Sequence, residues 1–126
     1  MTITTTSQIV HQGPRNLVMH LTGICDGTGE ENKVVKINVA TLVPRCDEVK
    51  IMRIEGNVAY GVVELFWDAL VPVKCLELSD NIDFDYTRSG GLGNNAGGGK
   101  TGNLLLSTVG FELNSTYSLH LELRKK

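Results

Sequence analysis

Residues 90–111 read GGLGNNAGGGKTGNLLLSTVGF, and whether this stretch opens a helix or feeds a strand decides the fold class. It holds eight of the chain's fourteen glycines and then becomes apolar and β-rich. Gly99-Lys100-Thr101 resembles the end of a phosphate-binding G-x-x-x-x-G-K-[ST] loop. That motif needs a glycine at position 94, where the chain has Asn94, and a helix whose first amides face the phosphates. The following residues, Gly102-Asn103-Leu104-Leu105-Leu106-Ser107-Thr108-Val109-Gly110, are short and closed by glycine, which suits a strand. Gly91-Leu92-Gly93-Asn94-Asn95-Ala96 fits a dinucleotide G-x-G-x-x-A, but it too lacks the following helix. The stretch therefore reads as a long loop, residues 88–102, between strands. The Asn94-Asn95 pair tolerates left-handed backbone geometry. Loops of this length inside a domain are usually disordered or functional, and contact with another chain is the expected role.

Working outward, residues 115–124 alternate cleanly, with Tyr117, Leu119, Leu121 and Leu123 inward and Ser118, His120, Glu122 and Arg124 outward. Residues 15–24 do the same with Leu17, Met19 and Leu21 against Asn16, Val18, His20 and Thr22. A period of two is what a half-buried strand requires. A strand over residues 33–42 carries Val35, Ile37 and Val39 on one face and ends at Pro44. Residues 48–54 form another strand, with Glu55-Gly56-Asn57 as a turn. Residues 58–68 are the most apolar segment and read as a central strand, with Trp67 as a core or edge anchor. A short strand follows over 73–78. The pattern predicts an all-β chain, an antiparallel sandwich or jelly roll of about eight strands with little or no helix. Residues 1–7 read as a flexible arm and residues 8–126 as one domain.

The 126 residues suffice for one core without metal or disulfides. Twelve basic and fourteen acidic side chains give a net charge of −2, which argues against a dedicated nucleic-acid binder. Cys25, Cys46 and Cys75 have neither C-x-x-C spacing nor a histidine at zinc-ligand spacing, and read as reduced thiols of a chain assembled in a cytoplasm. The first residues lack a signal-peptide pattern, and no run of about 20 apolar residues spans a membrane. Asp83 and Asp85 share a strand face, but without an EF-hand pattern they read as solvated. His11, His20 and His120 are scattered, and two of them could meet across a sheet. No catalytic signature is present, so no enzymatic activity or cofactor is expected.

Gly13-Pro14-Arg15-Asn16, Leu65-Phe66-Trp67-Asp68-Ala69 with Pro72-Val73, and Gly90-Gly91-Leu92 with Asn94-Asn95-Ala96-Gly97, Thr101-Gly102 and Leu106-Ser107-Thr108 resemble small virion structural proteins of tailed bacteriophages. The resemblance runs from about residue 10 to the end and includes residues 119–126. It implies a non-enzymatic virion component, foremost a capsid cement or decoration protein. Its partner would be the major capsid protein or another virion protein, in a homo-oligomer, a trimer by preference, with no nucleic acid or membrane. Interface residues would come from the arm (Thr4, Thr5), from Trp67 and from the loop (Gly90, Gly91, Leu92, Asn94, Asn95, Lys100, Thr101). A neck, tail or fibre-associated role is the first alternative. A carbohydrate-binding jelly roll using Trp67, Tyr86 and the Asp83/Asp85 pair is the second.

Overall fold

Strand β2 (Asn16–Cys25) and strand β7 (Thr116–Lys125) are the two clean alternators, and they pair with each other in antiparallel register. Leu17 meets Leu123, Met19 meets Leu121 and Leu21 meets Leu119, so the apolar rows coincide on one buried face. Each such leucine contributes roughly 1.5–3 kcal/mol by leaving water. Around this pair the computed structural model, which describes residues 3–25 and 31–126, builds five more strands. They are β1 (Ile3–Gln12), β3 (Val34–Ile37), β4 (Val49–Trp67), β5 (Val73–Asp85) and β6 (Leu104–Val109). Single 3-10 turns lie at Val39–Thr41 and Thr87–Ser89, and all described pairings are antiparallel.

The 19-residue β4 organises the sheet. One of its edges carries β5 along nearly its whole length. The other carries β7 against residues 49–59 and β6 against residues 62–67. The sheet therefore folds over at the middle of β4 and nearly closes on itself. One layer runs β1-β2-β7-β4-β5 and the other β5-β4-β6-β3. At the fold, pairing jumps from Val58–Asp80 to Val63–Leu78, so four residues of β4 face one of β5. Tyr60 and Asp80 take left-handed backbone angles there, with φ of 61° and 55°. Fully buried Ser115 holds the corner. Its hydroxyl donates to the Tyr60 carbonyl at 2.8 Å and accepts the Glu112 N–H at 2.9 Å.

All-β architecture with an antiparallel sandwich is as read from the pattern, but the strand list differs in four places. Residues 48–54 and 58–68 are one strand, because Gly56 extends it instead of turning it. The Gly56 backbone, at φ 148°, passes so close to β7 that a Cβ would lie 2.0 Å from the Ser118 carbonyl oxygen. Similarly, the 73–78 strand continues through the aspartates to Asp85. Residues 33–42 keep only β3 as strand. A register shift between Val35 and Ile37 leaves Val35 exposed and Ile37 buried, and Val39 reaches the core from a turn capped by the Asn38 side chain. Seven strands result among the described residues. Finally, the stretch read as an arm lies in β1 from Ile3 onward, paired with β2. Met1 and Thr2 are outside the described residues, as are residues 26–30 of the acidic loop.

Between the layers lie Trp67, Tyr117, Ile51, Ile54, Leu65, Leu78, Leu104 and Leu106, each essentially without solvent contact. The polar groups that enter this core are paired. Glu31 accepts the Tyr117 hydroxyl at 2.6 Å and an ion pair from Lys36 at 2.6 Å. Lys125 Nζ donates to the Gln12 side-chain oxygen and the Pro44 carbonyl, both at 2.9 Å.

The corner makes Ser115 a test of the fold. Ser115→Ala removes the side-chain partner of the Tyr60 carbonyl and of the Glu112 N–H and should lower stability by about 1–2 kcal/mol. Urea unfolding should show a reduced midpoint with an unchanged slope, and a loss under about 0.5 kcal/mol would contradict the assignment.

Candidate functional site

The glycine loop is docked against its own chain. Leu92 exchanges both backbone hydrogen bonds with Ile51, at 2.8 and 3.0 Å, on the β4 edge just past the end of β5. Leu92 and Ala96 pack half-buried against the core. Further on, the Gly98 carbonyl accepts the Leu70 N–H at 3.2 Å and the Asp68 carbonyl accepts the Thr101 N–H at 3.2 Å. The Thr101 hydroxyl also donates to the Asp68 carboxylate at 2.8 Å. Gly102, at φ 88°, passes where a Cβ would stand 1.9 Å from the Asp47 carbonyl oxygen, an approach open only to glycine. The loop thus touches both ends of β4 and caps the sandwich opposite the Tyr60 corner.

This placement divides the expected interface residues. Trp67 is 0% exposed and is a core residue. Lys100 is paired with Glu48 at 3.6 Å, and Thr101, Leu92 and Gly91 are used within the chain. Gly90 caps the 3-10 turn at Thr87–Ser89 with φ 84°. The Asn94 side-chain oxygen accepts the Ala96 N–H at 3.0 Å, while Asn95 beside it is exposed. Thr4 and Thr5 stand in β1 opposite Ile24 and Gly23, far along the sheet from the loop. What the loop does bring together is the β4–β5 turn. Leu70 and Val71 there are 83% and 77% exposed and, with Val73, Gly97 and Gly98, line an apolar groove of about 360 Å³. Sequence reading passed over Leu70 and Val71. The available signal was two aliphatic residues in a turn, next to Pro72, where polar residues are the rule.

A second surface lies on the outer face of the five-strand layer. Register places Gln8, His20, His120, Glu55 and Asp83 in one row across β1, β2, β7, β4 and β5. Two of the scattered histidines therefore meet, with His20 Nε2 2.7 Å from His120 Nδ1. A bulge at Met52 makes this row possible. It shifts β4 by one residue, so Ile51 and Ile54 both face inward while Arg53 and Glu55 face out. Arg53 donates to Glu55 at 3.1 Å and to Asp83 at 3.2 Å, and these carboxylates, Glu55 foremost, hold its guanidinium pKa up. A shallow depression of about 510 Å³ lies over His20, Thr22, Glu55, Asp83 and His120.

Asp83 and Asp85 do not converge on a common site. Asp83 serves Arg53, and Asp85 accepts the Thr87 hydroxyl at 2.6 Å and the Thr87 N–H at 2.9 Å. Those bonds, the hydroxyl first, hold the Asp85 carboxyl below its ordinary range. With Trp67 enclosed, the carbohydrate reading keeps only the half-buried Tyr86 of its two aromatic residues. No disulfide joins the cysteines. Burial pushes the Cys75 thiol up to about 12, and the thiol donates to the Leu65 carbonyl at 3.4 Å. Comparison with protein-family models, curated proteins and solved structures finds no match for this chain.

The docking of the loop has a direct readout in amide exchange. The Leu92 and Ile51 amides, bonded to each other's carbonyls, should exchange at least tenfold more slowly than the amides of Gly93 and Gly97. Equal, fast exchange across residues 90–102 would mean that the loop does not cap the sandwich.

Proposed function

We propose that this chain is a non-enzymatic structural component of a tailed-phage virion, a capsid cement or decoration protein that binds the major capsid protein lattice and stabilises the head. One observation carries the reading. Two of the segments that bear the phage resemblance, Leu65-Phe66-Trp67-Asp68-Ala69 and the glycine-asparagine loop, are remote in sequence yet bonded to each other at one end of the domain. The turn between them and β5 presents Leu70 and Val71 to solvent beside open glycine backbone at Gly97 and Gly98. Exposed aliphatic side chains grouped in a groove are a feature of protein–protein contact surfaces. The rigid sandwich behind them keeps the contact geometry fixed, so little ordering entropy opposes binding.

The reading assigns the contact to the end of the molecule and not to the N-terminal residues, which are engaged with β2. Purified protein should bind undecorated heads, and Leu70→Asp with Val71→Asp should weaken that binding at least 100-fold while leaving thermal unfolding within a few degrees of the parent. Binding at the neck or tail in place of the head would favour the connector or fibre role. Unimpaired binding by the double variant, or none by the parent, would remove the proposed contact.

A further inference from the structure

The histidine row contains a demand that its protein groups meet only in part. A neutral imidazole offers one N–H and one lone pair. His120 Nδ1 has a close partner in His20 Nε2 at 2.7 Å. On the other side, His120 Nε2 lies 3.5 Å from the Glu122 carboxylate, longer than an N–H···O hydrogen bond. With the His120 proton on Nδ1, donated to His20, the Nε2 lone pair is left free beside the Glu122 carboxylate. One ligand atom from each of Glu55, His120 and Glu122 lies within 4.8 Å of the other two. Three electron-rich atoms this close together can share one cation, although Glu55 is also bonded to Arg53.

We propose that Glu55, His120 and Glu122 form a binding site for a divalent transition-metal ion of the zinc class, with His20 as a positioning residue. The imidazole nitrogen selects zinc and its neighbours over calcium and magnesium, which prefer all-oxygen shells. His20 accepts the Nδ1 proton and so fixes the tautomer that leaves Nε2 free to ligate, the usual arrangement behind a metal-bound histidine. Register makes the site: Glu55 stands directly opposite His120 on the neighbouring strand, and Glu122 is two residues along on the same face. Zinc bonds of about 2.0–2.1 Å bring tetrahedral ligands to roughly 3.3 Å separation, so the atoms close in by at most about 1.5 Å. The Glu55 and Glu122 side chains, 42% and 45% exposed, have room to rotate that far. When Glu55 turns to the ion, Arg53 keeps Asp83 as its counter-charge. The remaining coordination position opens to the solvent-filled depression and takes water.

The test uses the untagged full chain. After equilibration with zinc and dialysis against metal-free buffer, one ion per chain should remain, and cobalt should give visible d–d absorption of a low-coordinate site. His120→Ala and Glu122→Gln should each lower zinc affinity at least tenfold, whereas Glu77→Gln, on β5 opposite Glu64 in the second half of β4, should leave it unchanged. His20→Ala should weaken binding about 10- to 100-fold and shift the cobalt spectrum. His20→Gln, whose side-chain oxygen accepts the same N–H, should restore both. Retention of no ion, or retention unaffected by both His120→Ala and Glu122→Gln, overturns the proposal. Should His120→Ala fail to fold by circular dichroism, the nearly isosteric Glu122→Gln decides alone.

Discussion

The long strand β4 belongs to both layers of this domain, and everything else is arranged about its bend. β4 carries β7 on its first half and β6 on its second, so the angle at Tyr60 sets how the two layers face each other. An unsupported bend of this kind would leave backbone polar groups at the rim of the core without a protein partner, at a cost of about 1 kcal/mol each. The β6–β7 turn prevents this by inserting Ser115 between the Tyr60 carbonyl and the Glu112 N–H. Folding β4 back also brings Val49 and Trp67 to the same end of the sandwich. That end would be open without a cover. The glycine loop supplies one, bonding to Ile51 at one end of β4 and to Asp68 at the other.

How much of this was legible depended on whether a segment had one wet face and one dry one. β2 and β7 have both, and their inward residues could be named from alternation alone. β1 was missed because it is an edge strand whose Ile9 and Val10 are both exposed, leaving no apolar period to read. β4 was cut in two because Gly56 looks like a turn residue, whereas it is there to let β4 and β7 approach. The three-residue spacing of Ile51 and Ile54 did record the bulge at Met52, although it takes the pairing partner to see that Glu55 then faces His120. The docking of the loop was the least legible feature. Two half-buried residues, Leu92 and Ala96, among so many glycines are too few to signal a core contact.

The two surfaces are physically distinct. The loop end is apolar, held by backbone hydrogen bonds, and suited to contact with another protein. The outer face of the five-strand layer is polar, with imidazoles and carboxylates fixed by strand register. A rigid sheet behind each means that neither has to order itself before binding, which favours affinity from small areas. Both surfaces trace back to β4: its C-terminal end leads into Leu70 and Val71, and its bulged N-terminal half carries Glu55.

The central claim is that the loop-capped end of the sandwich is the face that meets a phage head. A cryo-EM map of particles carrying this protein, with its copies counted against the major capsid protein, tests it most directly. The account predicts stoichiometric density over the head lattice with Leu70, Val71 and the Gly97-Gly98 backbone against the shell. Density with that end pointing to solvent, a few copies confined to the neck or tail, or no copies on the particle would contradict it.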